Sequence, residues 1–194
     1  AALSVVPYYN KPNQEGLFQH FSAVASAIGI PVILYSVPGR TIVDLTVDTI
    51  ARLRDAHANI IGVKDATGSM ERATMQRNKL GKEFILLSGD DSTALGFNAH
   101  GGHGCISVTS NVAPRLCAQM QELSLAGDFN AARDINDKLA FLHKDLFMEP
   151  NPAPAKYVAN RLNLCANEIR LPLTPISKPT QDAMDFAMRH AGLI

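Results

Sequence analysis

The chain has 194 residues, 46% of them hydrophobic, which is enough to bury one sizeable core. Its 18 basic residues balance its 18 acidic residues, so charge indicates neither nucleic acid nor an anionic membrane as a partner. The three cysteines show no CxxC spacing, which argues against a disulfide framework and a zinc site. Without a bilayer-length apolar run or a secretory signal, we expect a cytoplasmic protein with no metal or other cofactor, whose partners are small molecules or copies of itself.

Strand and helix patterns alternate through the first part of the chain. Short apolar runs predict strands at residues 1–6, 31–35, 60–64, 84–87 and 105–108. Helical spacing of apolar residues predicts helices that begin near Asn13, Thr46 and Ser69, and Asn13 and Thr46 are favoured N-caps. Asp90 and Asp91 precede a short helix, where capping is favoured over metal ligation. From residue 114 onward the pattern is typical of helices alone.

The alternation of strands and helices predicts parallel strands joined by right-handed crossovers. Because each predicted strand is apolar throughout, we expect both of its faces to be buried. An open five-stranded sheet and part of a closed barrel both fit this pattern. A (β/α)₈ TIM barrel needs about 250 residues. We therefore predict the later βα units of such a barrel over residues 1–126 and a C-terminal helical region over 127–194, in a natural protein that is longer by about three βα units of roughly 30 residues each.

The strand at 60–64 ends in a candidate catalytic lysine, Lys64. The apolar residues before it place the stem of the side chain in apolar surroundings. Burial disfavours the ammonium form, and this makes a lysine nucleophilic toward carbonyl groups. Lys64 taken alone is better explained as a lysine whose amine reaches solvent from a strand end. The residues at the other strand ends change that interpretation.

Functional residues of parallel α/β folds lie at the C-terminal ends of the strands. In this chain those ends supply Lys64, Arg40 and three tyrosines, namely Tyr8, Tyr9 and Tyr35. A lysine can form an imine with a ketone, a tyrosine hydroxyl can relay the protons released, and an arginine can hold a carboxylate by two parallel hydrogen bonds. This combination favours an aldolase that acts on a keto acid.

Motifs at six places in the chain resemble, in order, those of the dihydrodipicolinate synthase family. They are PYYNKP at 7–12, LYSVPGRT at 34–41, GVKDATG at 62–68, SGDD at 88–91, GGHGCIS at 101–107 and EPNP at 149–152. The resemblance covers essentially the whole chain. It implies a TIM-barrel lyase of lysine and diaminopimelate biosynthesis, in which a lysine forms a Schiff base with pyruvate and the resulting enamine attacks aspartate semialdehyde.

The resemblance also implies a role for each matching residue. Lys64 matches the imine lysine, and Tyr35 matches the proton-relay tyrosine. Arg40 matches the arginine that receives the carboxylate of the aldehyde. Tyr9 resembles the tyrosine that crosses a dimer interface to complete a neighbour's relay, and Tyr8 the one beside an allosteric lysine site. The family therefore implies a homodimer or homotetramer with lysine as a feedback inhibitor.

Two further positions of the chain match the family's pattern, and two depart from it. Gly89 and Ile106 match backbone positions that line the pyruvate pocket. Ser36 stands where the family usually has asparagine, and Gly39 where it usually has serine. The chain also lacks a counterpart of the family's N-terminal third, which carries two adjacent threonines of the proton relay.

Two other functions stay open. A sister lyase, such as N-acetylneuraminate lyase or a 2-keto-3-deoxy sugar acid aldolase, shares the lysine and the tyrosine. Those relatives lack the arginine of the Tyr-x-x-Pro-x-Arg loop, so Arg40 argues against them. A non-catalytic barrel relative that serves as a regulatory or assembly subunit is the other alternative, and the intact pair of Lys64 and Tyr35 argues against it.

Overall fold

All 194 residues are described by a computed structural model, and they divide into two compact units, Ala1–Ile106 and Ser107–Ile194. The first unit is built on a four-stranded parallel sheet in which neighbouring strands are consecutive in the chain. Its strands are β1 Ala2–Val5, β2 Val32–Ser36, β3 Ile60–Asp65 and β4 Ile85–Ser88. The parallel α/β arrangement predicted from the sequence is therefore present.

Helices connect these strands. They are α1 Gln14–Ala27, α2 Pro38–Thr41, α3 Val47–Ala56, α4 Met70–Leu80 and α5 Ala94–Ala99. The predicted N-caps at Asn13 and Thr46 are confirmed, and Ser69 caps α4 in the same way, since each of these side chains accepts a hydrogen bond from a backbone N–H of the first helical turn. Asp90 caps the 3₁₀ turn Asp91–Thr93 in the same way, with its Oδ1 2.9 Å from the amide nitrogen of Ser92.

One face of the sheet is covered by α1, α3 and α4, and the core of the first unit lies between them. The sheet contributes alternate residues to this core because successive side chains of a strand point to opposite faces. Fully buried members of the core include Leu34, Val63 and Leu86 from strands and Leu17, Phe21, Ile50, Leu53 and Ala73 from helices. This packing fixes the positions of the strand ends, where the candidate site residues lie.

The opposite face of the sheet is only partly covered. Leu3 and Val5 of β1 are exposed by 47% and 41%, and Tyr35, Lys64 and Leu87 are of intermediate exposure. The prediction that both faces of every strand are buried is therefore wrong for this chain. The strands are apolar throughout, but the residues on this second face have no layer of helices against them.

The predicted fifth strand, residues 105–108, is also wrong. Only Cys105 pairs with β4, through an isolated parallel bridge to Ser88. Immediately afterwards the backbone enters a 3₁₀ turn at Thr109–Asn111, which ends any extended pairing. Another difference concerns residues 36–41, because the loop predicted there contains the short helix α2, whose first residue is Pro38.

The second unit is helical. Its helices are α6 Pro114–Leu125, α7 Phe129–Asp145, α8 Ala153–Arg161 and α9 Lys178–His190. They share an apolar core that includes Leu139, Leu142, Leu146, Val158, Met184 and Met188. None of the helices in the chain is both long and apolar enough to cross a lipid bilayer. The predicted boundary between residues 126 and 127 separates the βα units of a barrel from the C-terminal helical region, and it stays a prediction.

The tight approach of β3 to β4 leads to the first prediction. A Cβ at Gly62 would lie 2.7 Å from the backbone oxygen of Ile85, which cannot move without separating the two strands. We expect Gly62→Ala to lower the free energy of unfolding by about 1–3 kcal/mol.

Exposed Gly29 is the matched control, since a Cβ there meets nothing within 4 Å. Gly29→Ala should leave stability unchanged or raise it by up to about 1 kcal/mol. Urea unfolding measures both, and equal effects would contradict the steric argument.

Candidate active site

Lys64 and Tyr35 lie side by side on the partly covered face of the sheet. The parallel register aligns Val5, Tyr35, Lys64 and Leu87 in one row across the four strands. The Nζ of Lys64 is 4.0 Å from the centroid of the Tyr35 ring, a cation–π contact. The structure therefore brings together the two residues that the sequence paired, and the ammonium group contacts the face of the ring.

Gly89 lies against the stem of Lys64. Its amide donates a hydrogen bond to the backbone oxygen of Asp65, with N and O 2.7 Å apart. A Cβ at this position would lie 3.0 Å from Cε of Lys64 and 2.7 Å from Cβ of Ala66. A glycine is therefore required if the lysine is to keep this orientation. Ile106 lies beside the end of β4, where its amide donates to the backbone oxygen of Ser88 over 2.9 Å.

Arg40 and Tyr8 line a cavity of about 500 Å³ beside the Tyr35 ring. The full lining is Leu3, Val5, Tyr8, Tyr35, Val37, Arg40 and Thr41. Arg40 is exposed and takes no part in the ion pairs of the chain, so its guanidinium group is available to an anion. The amine of Lys64, which can attack a carbonyl carbon, and the cation of Arg40, which can hold a carboxylate, thus both lie near Tyr35.

Tyr9 is not brought to this cluster within the chain. It follows β1 in a loop and is 92% exposed, and its neighbour Tyr8 is 65% exposed. Neither ring packs into the core of its own unit. The predicted catalytic role of Tyr9 therefore has no support from a contact inside the chain and depends on a second copy.

A buried carboxylate behind Lys64 was missed by the sequence analysis. Asp65 is 3% exposed and accepts hydrogen bonds from both the amide and the hydroxyl of Thr67, from the Gln76 amide group and from Nε of Arg72. The Arg72 and Gln76 nitrogens lie 2.7 Å and 2.6 Å from Oδ2. The sequence does contain a signal for this buried carboxylate, because strand alternation puts Asp65 on the face opposite Lys64. A carboxylate buried there requires a cation or several hydrogen-bond donors.

Arg72 also binds the segment that follows Arg40. Its NH1 lies 2.9 Å from Oδ2 of Asp44, and its NH2 donates to the backbone oxygen of Leu45. The hydroxyl of Ser36 donates to Oδ1 of Asp44 over 3.2 Å and accepts the amide of Leu45 over 3.4 Å. Ser36, which departs from the family pattern, therefore belongs to this network. One guanidinium group therefore connects the end of β3 with the segment after α2.

Comparison with known proteins shows the family of the chain. Residues 1–191 match the model of the dihydrodipicolinate synthetase family. A curated relative named 4-hydroxy-tetrahydrodipicolinate synthase, from Parvibaculum lavamentivorans, is 58% identical over the entire chain. The chain spans 66% of the length of that relative, which is just under two thirds.

Solved structures show the same fold. The chloride-inhibited dihydrodipicolinate synthase from Acinetobacter baumannii complexed with pyruvate is 44% identical, with a TM-score of 0.96 over 100% of this chain and 66% of that one. The enzyme from Cyanidioschyzon merolae with lysine bound is 36% identical, with a TM-score of 0.95 over 99% of this chain and 65% of that one. These matches confirm the predicted fold class, part of a (β/α)₈ barrel followed by C-terminal helices. The chain therefore belongs to the dihydrodipicolinate synthetase family.

Proposed function

We propose that the protein is a Schiff-base-forming lyase that condenses pyruvate with aspartate semialdehyde in lysine and diaminopimelate biosynthesis. The observation that carries the proposal is the half-buried Lys64 at the end of a parallel strand, whose amine lies over the Tyr35 ring and whose stem lies against Gly89. The relatives named 4-hydroxy-tetrahydrodipicolinate synthase and the pyruvate complex of the Acinetobacter baumannii relative support it. A small biosynthetic enzyme of this type acts in the cytoplasm and needs no metal or other cofactor for the imine step.

In the first half of the reaction, the neutral amine of Lys64 attacks the keto carbon of pyruvate. A carbon–nitrogen bond forms, and the carbonyl oxygen leaves as water to give a protonated imine. The positive nitrogen then draws electrons from the adjacent methyl group, which loses a proton and leaves an enamine. Tyr35 is the partner of Lys64 on the neighbouring strand, and we propose that its hydroxyl moves protons in these steps. Gly89 and Ile106 supply backbone to the pocket for pyruvate.

In the second half, the enamine carbon attacks the aldehyde carbon of aspartate semialdehyde. A carbon–carbon bond forms, the aldehyde oxygen takes up a proton and becomes a hydroxyl, and the nitrogen of Lys64 is again part of an imine. Addition of an amine or of water to that imine then frees Lys64 and releases the product.

Aspartate semialdehyde carries a carboxylate that the first step does not need. Arg40 lies on the cavity that Tyr35 also lines, so it can hold that carboxylate while the aldehyde faces the enamine. The arginine therefore favours an aldehyde substrate that carries a carboxylate.

The exposed tyrosine pair suggests an assembly of at least two copies. We propose that Tyr9 completes the proton relay of a neighbouring subunit in a homodimer or homotetramer, because its ring has no packing partner in its own unit. Tyr8, which is 65% exposed, is proposed to contact lysine as a feedback inhibitor. The lysine-bound relative from Cyanidioschyzon merolae supports this second role.

Trapping with borohydride tests the imine. Full-length protein incubated with pyruvate and borohydride should carry a reduced adduct on Lys64, as read by peptide mapping, because reduction makes the carbon–nitrogen bond permanent. Lys64→Arg should give no adduct, whereas the exposed control Lys11→Arg should be labelled like the parent. An adduct on Lys11 or Lys156, or none at all, would contradict the mechanism.

Replacing Arg40 tests the second substrate. Arg40→Ala should raise the KM for aspartate semialdehyde by roughly 10- to 150-fold, since a charged hydrogen bond contributes about 1.5–3 kcal/mol. The rate of imine formation with pyruvate should stay close to that of the parent. Steady-state kinetics with each substrate varied in turn measures the first quantity, and borohydride trapping measures the second. An equal loss of imine formation would place Arg40 in the pyruvate site instead.

Mixed subunits test the role of Tyr9. Tyr9→Phe and Lys64→Ala should each be inactive alone, because one lacks the relay hydroxyl and the other the nucleophile. In a mixed dimer, one of the two sites regains both groups, so about half of the parental activity per dimer should return. Differently tagged subunits allow the mixed species to be isolated before the assay. Verified mixed dimers that remain inactive would show that Tyr9 does not act across an interface.

A further inference from the structure

We propose that Arg72 is a positioning residue that sets the distance between the nucleophile and the carboxylate-binding group of the active site. It does so by joining the strand end that carries Lys64 to the segment that carries Arg40. The inference rests on the proposed function, which gives these two residues successive substrates. Arg72 itself touches neither the lysine nor the cavity.

The first arm of Arg72 holds the end of β3. Its Nε lies 2.7 Å from Oδ2 of Asp65, the residue that follows Lys64 in the chain. The backbone oxygen of Asp65 in turn accepts the amide of Gly89, the residue against which the lysine stem packs. A shift of Asp65 would therefore move both the Cα of Lys64 and the glycine beside its side chain.

The second arm holds the segment after α2. NH1 and NH2 of Arg72 bind the side chain of Asp44 and the backbone oxygen of Leu45. Between these residues and Arg40 lies Ile42, which has a φ of +64°, a value that β-branched residues rarely adopt. Such a backbone persists only where its surroundings determine it. The contacts of Asp44 and Leu45 with Arg72 fix the backbone on the C-terminal side of Ile42. They therefore stabilise the turn that follows Arg40.

Burial strengthens the contact between Arg72 and Asp65, and the planar guanidinium group allows Arg72 to bind Asp65 and the segment after α2 at the same time. The side chains of Arg72 and Asp65 are 13% and 2% exposed, so solvent and salt screen their attraction little. A guanidinium group presents five N–H donors in a fixed plane, and three of its nitrogens are used here on three different acceptors. A lysine at this position carries one nitrogen on a flexible stem and cannot bridge the same span.

Asp44 offers a way to weaken the second arm while the first stays intact, because removing its carboxylate removes the contacts to NH1 of Arg72 and to the hydroxyl of Ser36 and leaves the contact of NH2 to Leu45. The side chain of Asp44 is 44% exposed, so its loss leaves no uncompensated charge in the core, unlike the loss of Arg72. We expect Asp44→Ala to raise the KM for aspartate semialdehyde by about 3- to 10-fold, the loss of ordinary hydrogen bonds. The rate of pyruvate imine formation should stay within about twofold of the parent, because the Asp65 arm remains. Arg72→Lys should impair both quantities.

A matched control lies nearby. Asp48 on α3 forms an exposed ion pair with Lys79, which belongs to the same helix, α4, as Arg72. Asp48→Ala therefore removes an acidic side chain and a contact to α4 without touching either arm. Both the KM for the aldehyde and the rate of imine formation should be unchanged in this variant.

A double-mutant cycle decides whether Asp44 acts through Arg40. If it does, Asp44→Ala should add nothing to the KM of Arg40→Ala, because the residue it positions is already gone. Additive effects on KM would overturn the inference, as would a rise in KM for Asp48→Ala equal to that for Asp44→Ala. Thermal unfolding by circular dichroism verifies that each variant is folded, and the cycle needs no Arg72 variant if Arg72→Lys fails to fold.

Trapping of the parent protein separates the two proposals. An adduct on Lys64 together with an additive cycle would leave the function standing and remove the role of Arg72. An adduct on Lys64 together with a non-additive cycle supports both. A parent protein without any adduct would remove both at once, because there would be no nucleophile for the network to position.

Discussion

The ion pair between Arg72 and Asp65 is the interaction on which the rest of the site depends. Removing one partner of a buried pair costs about 3–5 kcal/mol, because the other charge is left without compensation. Asp65 is also the last residue of β3, so its carboxylate anchors a catalytic strand to a helix of the covering layer. The same arginine continues to Asp44 and so reaches the segment of Arg40.

Successive side chains of β3 point to opposite faces of the sheet, so the reactive lysine and the carboxylate that stabilises the strand end lie on different faces. Lys64 points to the partly covered face of the sheet, where it meets the Tyr35 ring, whereas Asp65 points to the face that the helices bury. Adjacent residues therefore serve a reactive site and a rigid scaffold without competing for space. Gly89 connects the two, since its amide binds the backbone of Asp65 and its missing side chain leaves room for the lysine stem.

Local signals in the sequence were sufficient for the regular elements of the first unit. N-cap residues such as Asn13 and Thr46 act on backbone amides within one turn, so their effect is visible in a short stretch of sequence. The fifth strand failed because residues 105–108 have the composition of a strand, but pairing needs a neighbour in register along its length. Only Cys105 finds one, and the backbone then turns away. The amino-acid composition of a segment does not show whether a neighbouring strand pairs with it.

The sequence by itself determined the parallel α/β class, the helix starts and the motifs that place the chain in its family, because these depend on local pattern and order. Only the tertiary structure showed that Lys64 contacts the ring face of Tyr35 and that Arg72 joins the end of β3 to the segment after α2. Arg72 and Asp44 are 28 residues apart in the chain. Their contact follows from how α4 packs on the sheet, a long-range arrangement that no short stretch of sequence encodes.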